Sequence, residues 1–95
     1  MILAFAQQAE DDLKAIEDDL SGVDAALVDL FNAEVIETLR YVLQFPRGYQ
    51  VRFEKYRFAH LGAFQYSLIY SLEKDKIVVH RVRHMRQKPL KRYSA

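Results

Sequence analysis

The spacing of the hydrophobic residues changes abruptly at Pro46-Arg47-Gly48, and this change constrains the fold more than any other feature of the sequence. Before it, apolar residues recur every three or four positions, the period of one face of an α-helix. After it, aromatic and β-branched residues alternate with polar ones, which is typical of β-strands. A helical half followed by a strand half predicts an α+β domain.

Two amphipathic helices account for the first half. The first is predicted over residues 7–20, where Ser21-Gly22 ends it with a glycine suited to a left-handed turn. Asp24 is predicted to cap the second helix, whose apolar stripe continues to the proline and glycine. Because only about three residues join the helices, they should form an antiparallel hairpin.

Four strands are predicted around this hairpin, over residues 1–5, 49–61, 64–72 and 77–84. The pattern of the second strand slips near Glu54-Lys55, which predicts a bulge or bend. The third strand alternates strictly, with Leu68 and Tyr70 on one face and Ile69 on the other. The order is β-α-α-β-β-β, which predicts one domain over residues 1–95, with the helical hairpin packed on one face of an antiparallel sheet.

The net charge of +1 is the sum of two halves of opposite charge. Residues 1–39 hold ten acids and one lysine, a charge of −9, whereas residues 40–95 hold thirteen bases and three acids, a charge of +10. Residues 78–92 contain six Lys or Arg, two His and no acid. Such a cluster predicts a negatively charged partner, most often nucleic acid. The alternative is that the two halves neutralise each other within the fold.

Residue types and run lengths exclude several classes of protein. The chain has no cysteine, which excludes disulfides, thiol nucleophiles and thiolate metal sites. No apolar run approaches the roughly 20 residues that span a bilayer, so a cytoplasmic protein without a membrane partner is expected. His80 and His84 lie roughly 13 Å apart on a predicted strand, too far to share one ion. We therefore expect neither a metal nor a cofactor.

Several segments, taken in order, resemble the RelE/ParE superfamily of toxins from type II toxin–antitoxin systems. They are Phe5-x3-Ala9-Glu10-x-Asp12-Leu13, Lys55-Tyr56-Arg57, Phe64-Gln65-Tyr66-x3-Tyr70, and Ile77-Val78-Val79-x-Arg81-Val82-x-His84 followed by Arg86 and Pro89. The resemblance covers nearly the whole chain and rests on order and spacing rather than on one motif. It implies a small toxin that arrests growth and is held inactive by a cognate antitoxin.

The superfamily has two functional classes, and the resemblance leaves both open. ParE-like members inhibit DNA gyrase and need no catalytic residues, only a basic surface. The candidates for that surface are Lys55, Arg57, Arg81, Arg83, Arg86, Lys88 and Arg92. The Arg-Val-x-His run followed by Arg86 is closer to ParE-like members. Gyrase inhibition is therefore the prediction, and mRNA cleavage is the alternative.

RelE-like members cleave mRNA on the ribosome. Cleavage through the 2′-OH needs a base, an acid and cations at the phosphate, and the candidates for this metal-free catalysis are His84, Arg81 and Tyr93. Active RelE-like members usually have an arginine three residues before the tyrosine equivalent to Tyr70. That position is Ser67 here, which weakens the ribonuclease interpretation. A toxin-derived binding module without activity is a third hypothesis.

Several of these residues also have plainer interpretations. Arg57 could pair with an acid of the helices, and His60 could be an ordinary strand-surface residue. Glu54 is the one acid near the basic strands that could act as a general base. The acids of the first helix are expected on its solvent face; they include Asp11, Asp12, Asp18 and Asp19.

Overall fold

The computed structural model describes residues 1–93, which form two helices and five strands. In chain order they are β1 (Ile2–Phe5), α1 (Gln7–Ser21), α2 (Ala25–Gln44), β2 (Val51–Phe53), β3 (Tyr56–His60), β4 (Tyr66–Glu73) and β5 (Lys76–His84), with a turn of 3-10 helix at Gly62–Phe64. The second predicted strand is thus two strands. Its slip marks a tight turn, in which Glu54 has a φ of 50°, rather than a bulge within one strand.

The predicted helical hairpin is present, with α1 and α2 joined by residues 22–24. The Asp24 side chain accepts a hydrogen bond of 2.9 Å from the Ala26 amide, which confirms the predicted N-cap. The expectation of a left-handed turn at Gly22 is wrong, because Gly22 has φ −66° and its amide still donates to the Asp18 carbonyl. The chain instead changes direction at Asp24, whose backbone is extended with φ −162°.

The five strands form one sheet in the order β1-β5-β4-β3-β2. Its pairs are antiparallel except β1 and β5, which run parallel from Ile2 opposite Lys76 to Phe5 opposite Val79. The α+β class is confirmed, but the expectation of a wholly antiparallel sheet is wrong for this pair. Alternation predicts which residues of a strand are buried and carries no information on the direction of its neighbour.

The main core lies between the helices and the sheet. Its buried side chains come from both helices and from the three central strands and include Ala9, Ile16, Phe31, Val35, Val42, Leu68, Tyr70, Ile77 and Val79. A second cluster lies on the opposite side of the sheet, hereafter the outer face, and contains Tyr56, Ile69 and Tyr93. The alternation predicted for β4 is therefore confirmed, and Leu90 and Tyr93 cover part of the outer face.

An irregularity in β5 sets which of its residues face outward. Ile69 pairs with Arg81 but Tyr70 pairs with Val79, so His80 is an extra residue in the strand. In a regular strand Val79 and Val82 would face opposite sides of the sheet. The bulge lets both enter the main core and places the His80 ring against Tyr56, with ring centroids 5.2 Å apart.

Candidate functional site

The free edge of β5 is closed by an acid from α1. Strand β1 ends at Phe5, opposite Val79, so within residues 1–93 β5 has no strand partner on that side beyond this point. The Asp12 carboxylate accepts hydrogen bonds from the Val82 amide at 2.9 Å and from Arg81 Nε and Nη2 at 2.7 and 3.1 Å. Asp12 thus replaces the missing strand partner and holds the Arg81 guanidinium at two points.

The Arg81 side chain therefore has a structural role. Its side chain and that of Asp12 are 22% and 18% exposed, and the hydrogen bond to Asp12 raises the pKa of the guanidinium. The expectation that Asp12 lies on the solvent face together with its neighbours is wrong. Spacing could have shown this, because Asp12 lies three residues after Ala9 and four before Ile16, both of which are buried on α1.

The cations that follow Arg81 are arranged differently. Residues 83–92, hereafter the basic segment, contain Arg83, Arg86, Lys88, Lys91 and Arg92. The Arg83 Nη2 donates to the Lys88 carbonyl at 2.9 Å, which fixes its side chain without neutralising it. Within residues 1–93 none of these cations forms an ion pair with a carboxylate, since the ion pairs there involve Arg40, Lys55 and Arg81. The basic segment is a surface of uncompensated positive charge.

His84 lies at the start of the basic segment, in a cleft of about 370 Å³ between α1 and the ends of β4 and β5. Its Nδ1 accepts a hydrogen bond of 3.0 Å from the Arg86 amide, and its ring contacts Tyr66 edge-on. An Nδ1 that accepts cannot carry a proton, so the ring proton of the neutral side chain is on Nε2. In this arrangement His84 offers a donor rather than the base that RNA cleavage requires.

Tyr93 is buried in the outer-face cluster and is only 3% exposed. Its ring centroid lies 5.4 to 6.0 Å from those of Phe53, Tyr56 and Phe58, and its hydroxyl accepts from the Leu90 amide at 3.3 Å. Thus Tyr93 is packed, Arg81 is paired with α1, and His84 lies in the cleft. Arg81 lines neither that cleft nor the groove on the outer face that His84 and Tyr93 both line, and the catalytic role of the three residues stays a prediction.

Lys55 and Arg57, also predicted for the basic surface, have local partners. The Lys55 ammonium forms a 3.0 Å ion pair with Glu73, whose hydrogen bond raises the pKa of the lysine. The Arg57 Nη1 donates to the Tyr49 carbonyl at 2.6 Å, so Arg57 ties the loop after α2 to β3. Pairing of Arg57 with an acid of the helices is not what the structure shows.

A chain of three hydrogen-bonded polar side chains on the outer face was not predicted. His80 Nε2 and Ser71 Oγ are 2.7 Å apart, and the Ser71 hydroxyl donates to Glu73 at 2.7 Å. Since the serine proton goes to the carboxylate, His80 must be the donor to Ser71. Burial lowers the pKa of His80, and the hydrogen bond from Ser71 lowers that of Glu73. In this order the serine proton goes to Glu73 and not to His80. His80 therefore does not act as the base that would activate Ser71 as a nucleophile.

The structure also bears on metal binding and on membrane insertion. Among residues 1–93, no cluster of three His, Asp or Glu side chains is arranged to hold a metal ion. Over the same residues neither helix is long and apolar enough to cross a membrane.

Comparison with known proteins decides the family. A family model described as the ParE toxin of the type II toxin–antitoxin system, parDE, matches residues 3–89. The chain belongs to the ParE toxin family. The resemblance to RelE/ParE toxins is thereby confirmed. A comparison with curated proteins found no significant match.

Among solved structures, the fold is similar to a chain of the chromosomal ParDE TA system from P. aeruginosa. The TM-score is 0.77, with 18% sequence identity over 88% of this chain and 95% of the other. At that identity the similarity establishes a shared fold. The match to the ParE family model ends at residue 89, so it includes Arg81, Arg83, Arg86 and Lys88 and stops before Tyr93.

Proposed function

We propose that this ParE-family chain is a growth-arresting toxin that acts in the cytoplasm by binding and inhibiting DNA gyrase. The observation that carries the choice of target is the basic segment, whose cations have no carboxylate partner within residues 1–93. A surface of this kind favours a negatively charged patch on a partner and accelerates encounter with it. The segment begins with the last two residues of β5, Arg83 and His84, so the sheet holds its first residues in place.

The environments of the catalytic candidates also favour inhibition by binding over mRNA cleavage. Cleavage needs a base, an acid and a cation that converge on one phosphate. Arg81 instead binds Asp12 in two places, and the Tyr93 hydroxyl is held in a packed aromatic cluster. Gyrase inhibition requires none of these groups to be free.

The proposal includes a cognate antitoxin protein as partner. The solved structure with the same fold comes from a ParDE toxin–antitoxin system. On this chain, α2 exposes large apolar side chains, including Leu30 (59%) and Ile36 (51%), which suits an amphipathic segment laid along the helical hairpin. A complex that survives about 1 M salt, where the Debye length is only about 3 Å, would support apolar contact; dissociation there would move the antitoxin site to the basic segment.

The target is tested with Arg86→Glu/Lys88→Glu, which reverses two exposed charges in the basic segment. Arg40→Glu is the matched control, because Arg40 is an exposed arginine on α2 whose one ion pair within residues 1–93 is a 3.5 Å contact with Glu37. Purified gyrase would be assayed for supercoiling of relaxed plasmid with each protein. We expect inhibition by the original chain and the control, and at least about a tenfold higher concentration for half-inhibition by the double variant.

A short induction in bacteria without antitoxin separates the alternatives. Incorporation of labelled thymidine and labelled amino acids would be followed together for the first minutes. Gyrase inhibition predicts that thymidine incorporation falls first. An earlier fall in amino-acid incorporation would replace gyrase with the ribosome as target, and no fall in either while folded protein accumulates would favour an inactive binding module.

A further inference from the structure

Three polar side chains form a row across the outer face. The strand register places His60 of β3 opposite Ser67 of β4, and Ser67 opposite Arg83 of β5. His60 Nδ1 and Ser67 Oγ are 2.6 Å apart, which fixes the imidazole ring. Ser67 is nearly buried at 4% exposure. This row lies in a groove of about 220 Å³, hereafter the outer groove, with Arg52, Phe58 and Tyr93 also in its lining.

The groups of this row have donors that the protein does not use. If Ser67 donates to His60, the proton of the neutral ring is on Nε2; if His60 donates instead, the Ser67 hydroxyl is free to donate. In both arrangements the pair keeps one donor, since within residues 1–93 His60 has no other hydrogen-bond partner. Arg83 uses Nη2 for the Lys88 carbonyl, which leaves its other guanidinium N–H groups.

The charge of the outer groove has one sign. Among residues 1–93, the charged side chains of its lining are two arginines, Arg52 and Arg83, and none is Asp or Glu. The Arg52 guanidinium lies 5.9 Å from the centroid of the Phe58 ring, a contact that holds the cation beside an apolar surface. The cleft beside α1, by contrast, is lined by Asp12 and Asp19, so it is a poorer place for an anion.

We infer that the outer groove binds a phosphate group of an unpaired nucleic-acid strand. Arg83 and the His60–Ser67 pair would donate to the phosphate oxygens, as arginine and serine commonly do. Arg52 would contact the phosphate from the rim, with Phe58 beside it as an apolar surface for the sugar or base, a combination typical of single-strand binding. This site shares Arg83 with the basic segment proposed above to bind gyrase, and its other residues, Arg52, Phe58, His60 and Ser67, lie outside that segment.

The test is direct binding, without gyrase, so its failure would leave the proposed target untouched. Labelled DNA and RNA strands of about ten nucleotides would be titrated with the protein and followed by fluorescence anisotropy. The variants are His60→Ala and Arg52→Gln, and Arg40→Gln is the control that removes the same cation from α2. Because both His60 and Arg52 are exposed, their substitution should leave the fold intact. Thermal melting would verify that each variant is folded.

The two variants should weaken binding in different ways. Arg52→Gln should lower the affinity about fivefold and reduce the slope of log K against log salt by about 0.7, the value for one phosphate contact on a single strand. His60→Ala removes one hydrogen bond to a charged group and should lower the affinity about tenfold, with little change in slope. The control should bind as the original chain does.

Each outcome bears on the site. The site is supported if His60→Ala and Arg52→Gln lose affinity and the Arg40→Gln control does not. The ratio of DNA affinity to RNA affinity then identifies which kind of strand supplies the phosphate. Inorganic phosphate should shift the NMR signals of the His60 ring in the original chain. The site is refuted if no strand binds at about 50 mM salt, if both groove variants bind like the control, or if a duplex binds better than either single strand.

Discussion

Asp12→Ala tests whether one carboxylate secures the edge of the sheet. The change removes three hydrogen bonds, of 2.7, 2.9 and 3.1 Å. Leaving the Val82 amide without its partner at a partly covered edge costs about 1 kcal/mol. The pair with Arg81 is about one-fifth exposed, between a surface ion pair at about 0–1 kcal/mol and a buried one at about 3–5 kcal/mol, so we assign it about 1–2 kcal/mol. The expected loss in unfolding free energy is about 2–3 kcal/mol.

Urea denaturation at neutral pH would measure this loss. Asp12→Asn keeps an oxygen for the Val82 amide and should lose only the ion pair, about 1–2 kcal/mol. Asp11→Ala is the control, because Asp11 is a neighbouring acid whose side chain, among the residues that the structure describes, bonds only to exposed Gln7; it should change stability by less than about 0.5 kcal/mol.

A double-mutant cycle with Arg81→Ala isolates the ion pair, and its coupling energy should be about 1–2 kcal/mol. The structural role of Arg81 is refuted if Asp12→Ala lowers the free energy of unfolding no more than Asp11→Ala does. It is also refuted if the coupling energy between Asp12 and Arg81 is zero. Arg81 would then again be a candidate for the target-binding surface.

Three further changes test other parts of the structure. Tyr93→Ala empties a site that is 3% exposed and should lower the unfolding free energy by about 2–4 kcal/mol, whereas Tyr93→Phe should cost less than about 0.5 kcal/mol in the same urea titration. Tyr70→Phe removes a 2.8 Å hydrogen bond to the Pro46 carbonyl and should cost about 1–2 kcal/mol by thermal melting. Burial lowers the pKa of His80, so as the pH drops the unfolded chain binds a proton at His80 before the folded chain does. The free energy of unfolding should therefore fall as the pH drops through about 6.5. In urea titrations at about pH 7.5 and 5.5, His80→Gln should reduce the difference in unfolding free energy between the two pH values by up to about 1.4 kcal/mol.

The helices and the burial of β4 could be predicted because their signals are local. A cap such as Asp24 acts within two residues of itself, and alternation in β4 assigns Leu68 and Ile69 to opposite faces without knowledge of the neighbouring strands. The division of residues 49–61 was missed because Glu54 adopts a left-handed backbone that is rare for a non-glycine residue. The parallel edge was missed because β1 and β5 lie at opposite ends of the sequence.

The functional surface was harder to predict, because it depends on register and on distant pairs. Arg81 and Asp12 are 69 positions apart, and their contact exists only because α1 passes the free edge of β5. The row of His60, Ser67 and Arg83 depends on how β3, β4 and β5 are aligned. Sequence singled out Arg83 as a cation and treated His60 and Ser67 separately, since no local pattern joins residues on three strands.

The parallel pairing of β1 with β5 has a consequence for the order of folding. Ile2 pairs with Lys76, so β1, which is synthesised before β2–β5, cannot pair until β5 has been made. Bringing such distant segments together carries a large loop-closure entropy, and pairings of this kind slow the folding of small domains. On the ribosome the helical hairpin can form early, while β1 stays without a partner until β5 has emerged. The free edge of β1 is thus the part of the nascent chain most exposed to incorrect strand pairing.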